Sequence, residues 1–254
     1  MKIGLAQINP TVGDFERNIE IIKGFAGRAR ASGCDLVVFP ELAVSGYPPR
    51  DLLERRDFVR ANLRCLRHLM DSVRGIGVIC GFVDENRHET GYPLYNSAVL
   101  FESGKVLHQV HKRLLPDYDV FDESRYFEPG TDCSSFLYKG RNMGLTICED
   151  IWNDKDLFPR RLYSLDPVQR MVQDGANLII NISSSPFYAG KREFKRKLFS
   201  SIARKYRVPL VYVNQVGGND SLIFDGLSVA FDSAGQMVAR ARDCLLYTSD
   251  AADE

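Results

Sequence analysis

Short apolar runs bounded by turn residues recur along the chain and alternate with stretches whose apolar residues return every three or four positions. Lys2 to Gln7 reads as a strand, and Asn9-Pro10-Thr11-Val12-Gly13-Asp14 follows as a turn ending in a candidate helix N-cap. Ile19, Ile22, Phe25, Ala26 and Ala29 then keep helical spacing up to Gly33, a candidate stop, and Leu36 to Phe39 reads as a buried strand. Strand, helix and strand in that order predict parallel pairing. The pair Pro48-Pro49 keeps residues 41–50 out of a helix. Asp51 and Glu54 are then placed like a capping box for a charged helix with Leu63, Leu66, Leu69 and Met70 on its apolar face.

Gly77 to Phe82 reads as a third strand, and Asn96 to Phe101 and Lys105 to His111 as a hairpin around Glu102-Ser103-Gly104. Residues 112–132 carry neither period, and loops of that length are often functional. The second half repeats the plan. Ser135 to Tyr138 and Met143 to Ile147 flank Lys139-Gly140-Arg141; Asp166-Pro167 opens a helix ending near Gly175; Leu178 to Ile182 is a buried strand. Arg192 to Tyr206 is a basic amphipathic helix, Leu210 to Asn214 a strand, and Ser228 to Phe231 with Met237 to Arg242 a hairpin. Each half thus supplies a sheet with one face for helices and another to bury. Face-to-face packing with helices outside predicts an α/β fold, a four-layer α-β-β-α sandwich; a doubly wound single sheet is the competing arrangement. A nucleotide fold is disfavoured, since no GxGxxG follows the first strand and no GxxxxGK[ST] occurs, while Gly217-Gly218 reads as a turn.

Composition narrows the partners. At 254 residues the chain fits one domain, and 33 basic against 33 acidic residues leave no net field to draw nucleic acid or an anionic membrane. The charged run from Arg192 to Lys205 therefore reads as a solvated helix face and not as an RNA-binding surface. Six scattered cysteines without a CxxC pair argue against a zinc site and a disulfide framework, which fits a reducing cytoplasm. The first apolar run is too short for a signal peptide, and no stretch reaches the ~18 apolar residues of a membrane span. No metal site is expected: His108 and His111 form an HxxH, a weak signal, and read as ordinary strand residues.

The candidate chemistry sits at three strand ends. Cys148 falls where Met143 to Ile147 gives way to Glu149-Asp150-Ile151-Trp152; Glu41 follows Leu36 to Phe39 and Pro40; Lys112 follows Val106 to His111. A lone cysteine is most often a small buried hydrophobe, and Glu41 with Lys112 would by themselves make a structural ion pair. Together the three supply a nucleophile, a base to take the thiol proton, and a cation for the oxyanion of a tetrahedral intermediate. Backbone N–H groups around Cys148 would add to that oxyanion site.

Phe39-Pro40-Glu41, His111-Lys112-Arg113-Leu114-Leu115-Pro116 and Ile147-Cys148-Glu149-Asp150-Ile151-Trp152 resemble the three signatures of the nitrilase (carbon-nitrogen hydrolase) superfamily. The segments Glu41 to Leu53 and Tyr118 to Gly130 are similar to the glutaminase domain of glutamine-dependent NAD⁺ synthetases. The resemblance implies Glu41 as proton acceptor, Lys112 as stabiliser and Cys148 as nucleophile, with Tyr118, Ser185 and Lys191 binding L-glutamine. It also implies a homo-oligomer, and ammonia delivered to amidate nicotinic acid adenine dinucleotide. ATP and Mg²⁺ would serve only a synthetase domain of the full-length chain, a domain without counterpart here. Residues 1–243 are expected to form the glutaminase domain, and 244–254, unlike the family's continuation, a truncated or artefactual tail. The competing functions are an ω-amidase or aliphatic amidase with the same triad, and a non-catalytic interaction module.

Overall fold

The computed structural model describes residues 1–154, 156–158 and 160–250. Its first half runs β1 (Ile3–Gln7), α1 (Phe15–Ala31), β2 (Leu36–Val38), α2 (Arg56–Ser72), β3 (Gly77–Glu85), β4 (Leu94–Glu102) and β5 (Lys105–His111). Its second half runs β6 (Phe136–Tyr138), β7 (Arg141–Ile147), α3 (Pro167–Gln173), β8 (Leu178–Ser183), α4 (Lys191–Tyr206) and β9 (Leu210–Asn214). A short ribbon, β10 (Val216–Asn219) and β11 (Leu222–Asp225), precedes β12 (Val229–Phe231), β13 (Met237–Arg240) and β14 (Tyr247–Asp250).

The strands form two six-stranded sheets, ordered β14-β1-β2-β3-β4-β5 and β13-β12-β9-β8-β7-β6, with the ribbon apart. Strands β1-β2-β3 and β7-β8-β9 are parallel, joined by crossovers through α1, α2, α3 and α4, and the hairpin strands are antiparallel. Alternation decides which residue faces where. Ile3, Leu5, Leu36, Val38 and Ile79 of one sheet meet Leu145, Ile147, Ile180, Ile182 and Val213 of the other. Their neighbours Ala6, Val37 and Val78 pack on α1 and α2, and Ile179 packs with α3 and α4. Both faces of each parallel strand are therefore apolar, which is why these runs are continuous in sequence. The four-layer sandwich holds, and the single doubly wound sheet does not.

Three local readings are corrected. Asp51 and Glu54 cap nothing: Arg50–Glu54 is a separate 3₁₀ turn, Arg55 is extended, and α2 starts after it without a side-chain cap. Gly217-Gly218 is no turn but lies inside β10, the reversal falling at Asp220 (φ 56°) and Ser221. The basic helix is not wholly solvated on its charged positions, since Lys191 and Lys195 are buried beside exposed Arg192 and Arg196. The segment from Cys244, read as a truncated or artefactual tail, includes β14, which pairs antiparallel with β1; residues 251–254 lie outside the described residues. Among the described residues no helix is long and apolar enough to cross a membrane.

Candidate active site

Glu41, Lys112 and Cys148 converge at the ends of β2, β5 and β7. Glu41 sits in a tight reversal that crosses over β3. Gly81 N donates to Pro40 O and Val44 N to Gly81 O, both at 3.2 Å, and a Cβ on Gly81 would lie 2.7 Å from the Cα of Glu41. Only glycine lets the two backbones pass so closely. The Glu41 side chain is fully buried and held by its partners: Lys112 Nζ donates to Oε1 at 2.8 Å, Asn96 Nδ2 to Oε1 at 2.7 Å, and Ser184 N to Oε2 at 2.8 Å.

Lys112 is fully buried and bridges two carboxylates, Glu41 and Glu123, each at 2.8 Å. Burial alone would depress its ammonium; the charges of Glu123 and Glu41 outweigh that and hold it well above the ordinary lysine range. Glu123 was not among the residues picked out from sequence. It lies in a 3₁₀ turn, Glu123–Arg125, of the aperiodic segment, and also accepts from Tyr47 OH at 2.9 Å. Burial pushes its carboxyl up to about 7, the Lys112 charge pulling it back and Glu41 adding to the rise.

Cys148 ends β7 in a sharp elbow. Ile147 is extended, Cys148 has φ 45°, and a 3₁₀ turn, Cys148–Ile151, follows at once. Positive φ at a residue with a side chain is strained and needs surrounding support. Here Asn181 Nδ2 reaches Cys148 O at 3.4 Å, and the Asp150 carboxylate ties the turn to the Lys112 segment. Burial, then the Glu41 carboxylate, push the thiol far up against the pull of Lys112, so the resting sulfur is protonated.

A cavity of about 550 Å³ opens onto this point, and Cys148, Tyr118, Ser185 and Lys191 all line it. The Lys191 ammonium donates to Pro186 O at 2.7 Å and stands 4.9 Å from the Tyr188 ring centroid and 5.6 Å from that of Trp152. Burial lowers it, with the carboxylates of Asp225 and Glu149 among the charges that oppose. Ser185 is pinned by Asn214, which accepts from its N–H at 2.8 Å and donates to its carbonyl at 3.2 Å. Tyr118 OH donates to both oxygens of Glu149 at 2.9 Å, and Glu149, raised by burial, is a second cavity residue that sequence reading passed over. Phe121, Trp152, Phe158 and Phe194 make the remaining wall largely aromatic.

His111 stacks on Tyr95 with ring centroids 4.0 Å apart, and its Nδ1 lies 2.7 Å from Ser97 Oγ. His108 stacks on Phe136 at 3.9 Å, so the two rings of the HxxH serve strand packing.

Residues 2–244 match the carbon-nitrogen hydrolase family. The chain belongs to that family. Among its relatives, the glutamine-dependent NAD⁺ synthetase of Synechocystis sp. is 43% identical over 243 residues, covering 94% of this chain and 44% of the relative. The glutamine-dependent NAD⁺ synthetase of Acinetobacter baumannii, solved with ADP, superposes with a TM-score of 0.89 at 34% identity, over 98% of this chain and 44% of that one. An amidase variant from Nesterenkonia sp. AN1, carrying the acetamide moiety of fluoroacetamide covalently at its active-site cysteine, superposes with a TM-score of 0.81 at 26% identity. That match covers 98% of this chain and 89% of the amidase. This carbon-nitrogen hydrolase therefore spans less than half the length of the synthetases it matches.

Proposed function

We propose that this chain hydrolyses L-glutamine to glutamate and ammonia, as the glutaminase part of a glutamine-dependent NAD⁺ synthetase. The observation that carries the reading is one cavity lined by Cys148 and by both a buried lysine, Lys191, and a buried carboxylate, Glu149. An amino-acid substrate presents an α-carboxylate and an α-ammonium, and these two residues offer the opposite charge to each. A simple aliphatic amide needs neither.

In the reaction the Cys148 thiol gives its proton to Glu41 as the sulfur attacks the amide carbon. The oxygen that turns negative is held by the Lys112 ammonium, already fixed by Glu41 and Glu123, so little reorganisation accompanies the charge. Collapse returns the Glu41 proton to the leaving nitrogen, ammonia departs, and a γ-glutamyl thioester remains on Cys148. Glu41 then takes a proton from water, which attacks the thioester, and the thiol leaves with that proton. The raised thiol suits this order, because a base must act together with the attack.

No cofactor enters these steps. ATP and Mg²⁺ would act in the part of the synthetases that this chain does not span. Gly217-Gly218 lies within an antiparallel ribbon and not ahead of a helix, so it offers no phosphate cradle. The amidase reading keeps the same triad, and the likeness to the Nesterenkonia amidase favours it. Ammonia release from glutamine against release from amides lacking the α-carboxylate separates the two: a preference for glutamine is expected, and equal kcat/KM for both would overturn the glutaminase reading.

A further inference from the structure

Lysines 191 and 195 stand one turn apart on α4, and both are buried. Lys191 reaches the cavity wall. Lys195 lies behind it, its ammonium 5.3 Å from the Tyr212 ring centroid and 4.0 Å from Oδ1 of Asp225, the last residue of β11. Asp225 is itself buried, and its Oδ1 has no hydrogen-bond partner among the described residues. A buried carboxylate oxygen left without a hydrogen bond is costly and calls for a reason. The reason offered by the geometry is charge. Asp225 acts on both lysines, and with Glu149 and Asp119 it is one of the negative groups that oppose the loss of the Lys191 proton. The ribbon that carries it also supplies Ser221, Leu222 and Ile223 to the cavity wall.

We propose that Asp225 and Lys195 are positioning residues for the amino-acid end of the site, Asp225 serving as the counter-charge that Lys191 and Lys195 share and, with Lys195, tying the β10–β11 ribbon to α4. The inference rests on the glutamine reading of the cavity, since only a substrate with an α-carboxylate depends on the Lys191 charge. Its signature is that the two partners act in opposite senses. Without Asp225, two buried ammonium groups one turn apart lose their counter-charge and Lys191 sheds its proton at lower pH. Without Lys195, Asp225 serves Lys191 alone and the proton is held to higher pH.

The test is the pH profile of kcat/KM for glutamine and for an amide lacking the α-carboxylate, in Asp225→Asn, Lys195→Met and the double variant. Asp225→Asn is expected to raise KM for glutamine about tenfold with kcat little changed, and to move the alkaline limb to lower pH. Lys195→Met is expected to move that limb to higher pH. The double variant removes two opposite charges whose effects on Lys191 oppose each other, so it is expected to recover most of the glutamine KM, and the simple amide to be insensitive throughout. If Asp225→Asn does not fold, the Lys195→Met and double variants carry the comparison. Limbs that move together, or equal losses with both substrates, would reduce the pair to scaffolding and overturn the inference alone. A wild-type chain that forms no Cys148 adduct from glutamine would overturn the glutamine reading and this inference together.

Discussion

Asp150 and Arg113 join the cysteine elbow to the lysine strand. Oδ1 of Asp150 accepts from the backbone N–H groups of Arg113 and Leu114, both at 2.9 Å, and Oδ2 accepts from Ile147 N at 3.0 Å while lying 3.3 Å from Arg113 Nη1. The residues before Cys148 and after Lys112 are thus held by one buried carboxylate. Removing its charge leaves a buried guanidinium short of its partner, a loss of about 3 kcal/mol or more. Asp150→Asn should therefore lower stability by that order in urea denaturation, and lower kcat as the elbow loosens. A variant within ~0.5 kcal/mol of wild type, the ordinary range of surface substitutions, would show that the two segments are held by something else.

In the proposed mechanism the Lys112 ammonium matters most when charge develops on the amide oxygen. Lys112→Met is expected to cut kcat by at least ~100-fold, the scale of losing one oxyanion donor, whereas KM should change little. It also leaves Glu41 and Glu123 buried without their shared cation, so the melting temperature should fall. Normal kcat with weakened binding would make Lys112 a substrate-binding group.

For Glu123 the folded-state value, about 7, lies above the ordinary carboxylate value of the unfolded chain. The folded state therefore binds the extra proton between the two values, and stability falls as pH rises through that window. The contribution is fully present below the ordinary carboxylate range and lost on passing about 7. Glu123→Gln removes this proton site, so the stability difference between wild type and variant should shift against wild type from pH 5 to pH 8. Parallel stability curves would place the Glu123 carboxyl in the ordinary range.

Much of this was legible in the chain. Leu36 to Phe39, Met143 to Ile147 and Leu178 to Ile182 are strands buried on both faces, and such runs announce themselves; the residues just after them mark sheet ends, which is how Glu41 and Cys148 were found. Glu123 escaped because residues 112–132 have no period, so no register says which acid turns inward. The β10–β11 ribbon escaped because Gly217 and Gly218 carry no side-chain pattern. Lys195 was read as solvated for the general reason that lysines are; only the packing of α4 on β9 and the ribbon turns it inward. Arg55 likewise gave no sign that it would break the charged stretch into a 3₁₀ turn and a helix.

The proposed contact between Lys191 and a substrate α-carboxylate makes its own prediction. Lys191→Met should raise KM for glutamine about tenfold or more, the scale of a hydrogen bond to a charged group, and leave amides without the α-carboxylate unaffected. An unchanged preference between the two substrates would remove Lys191 from the binding site.

The central claim is that Cys148 carries the acyl group. Mass spectrometry of protein quenched during incubation with glutamine tests it most directly. The account predicts a mass increase equal to glutamine less ammonia on the peptide that contains Cys148, absent from Cys148→Ala, a variant that should keep its fold because it loses a single sulfur. Hydrolysis of glutamine at the wild-type rate by Cys148→Ala, or a glutamyl group found on another residue, would contradict it.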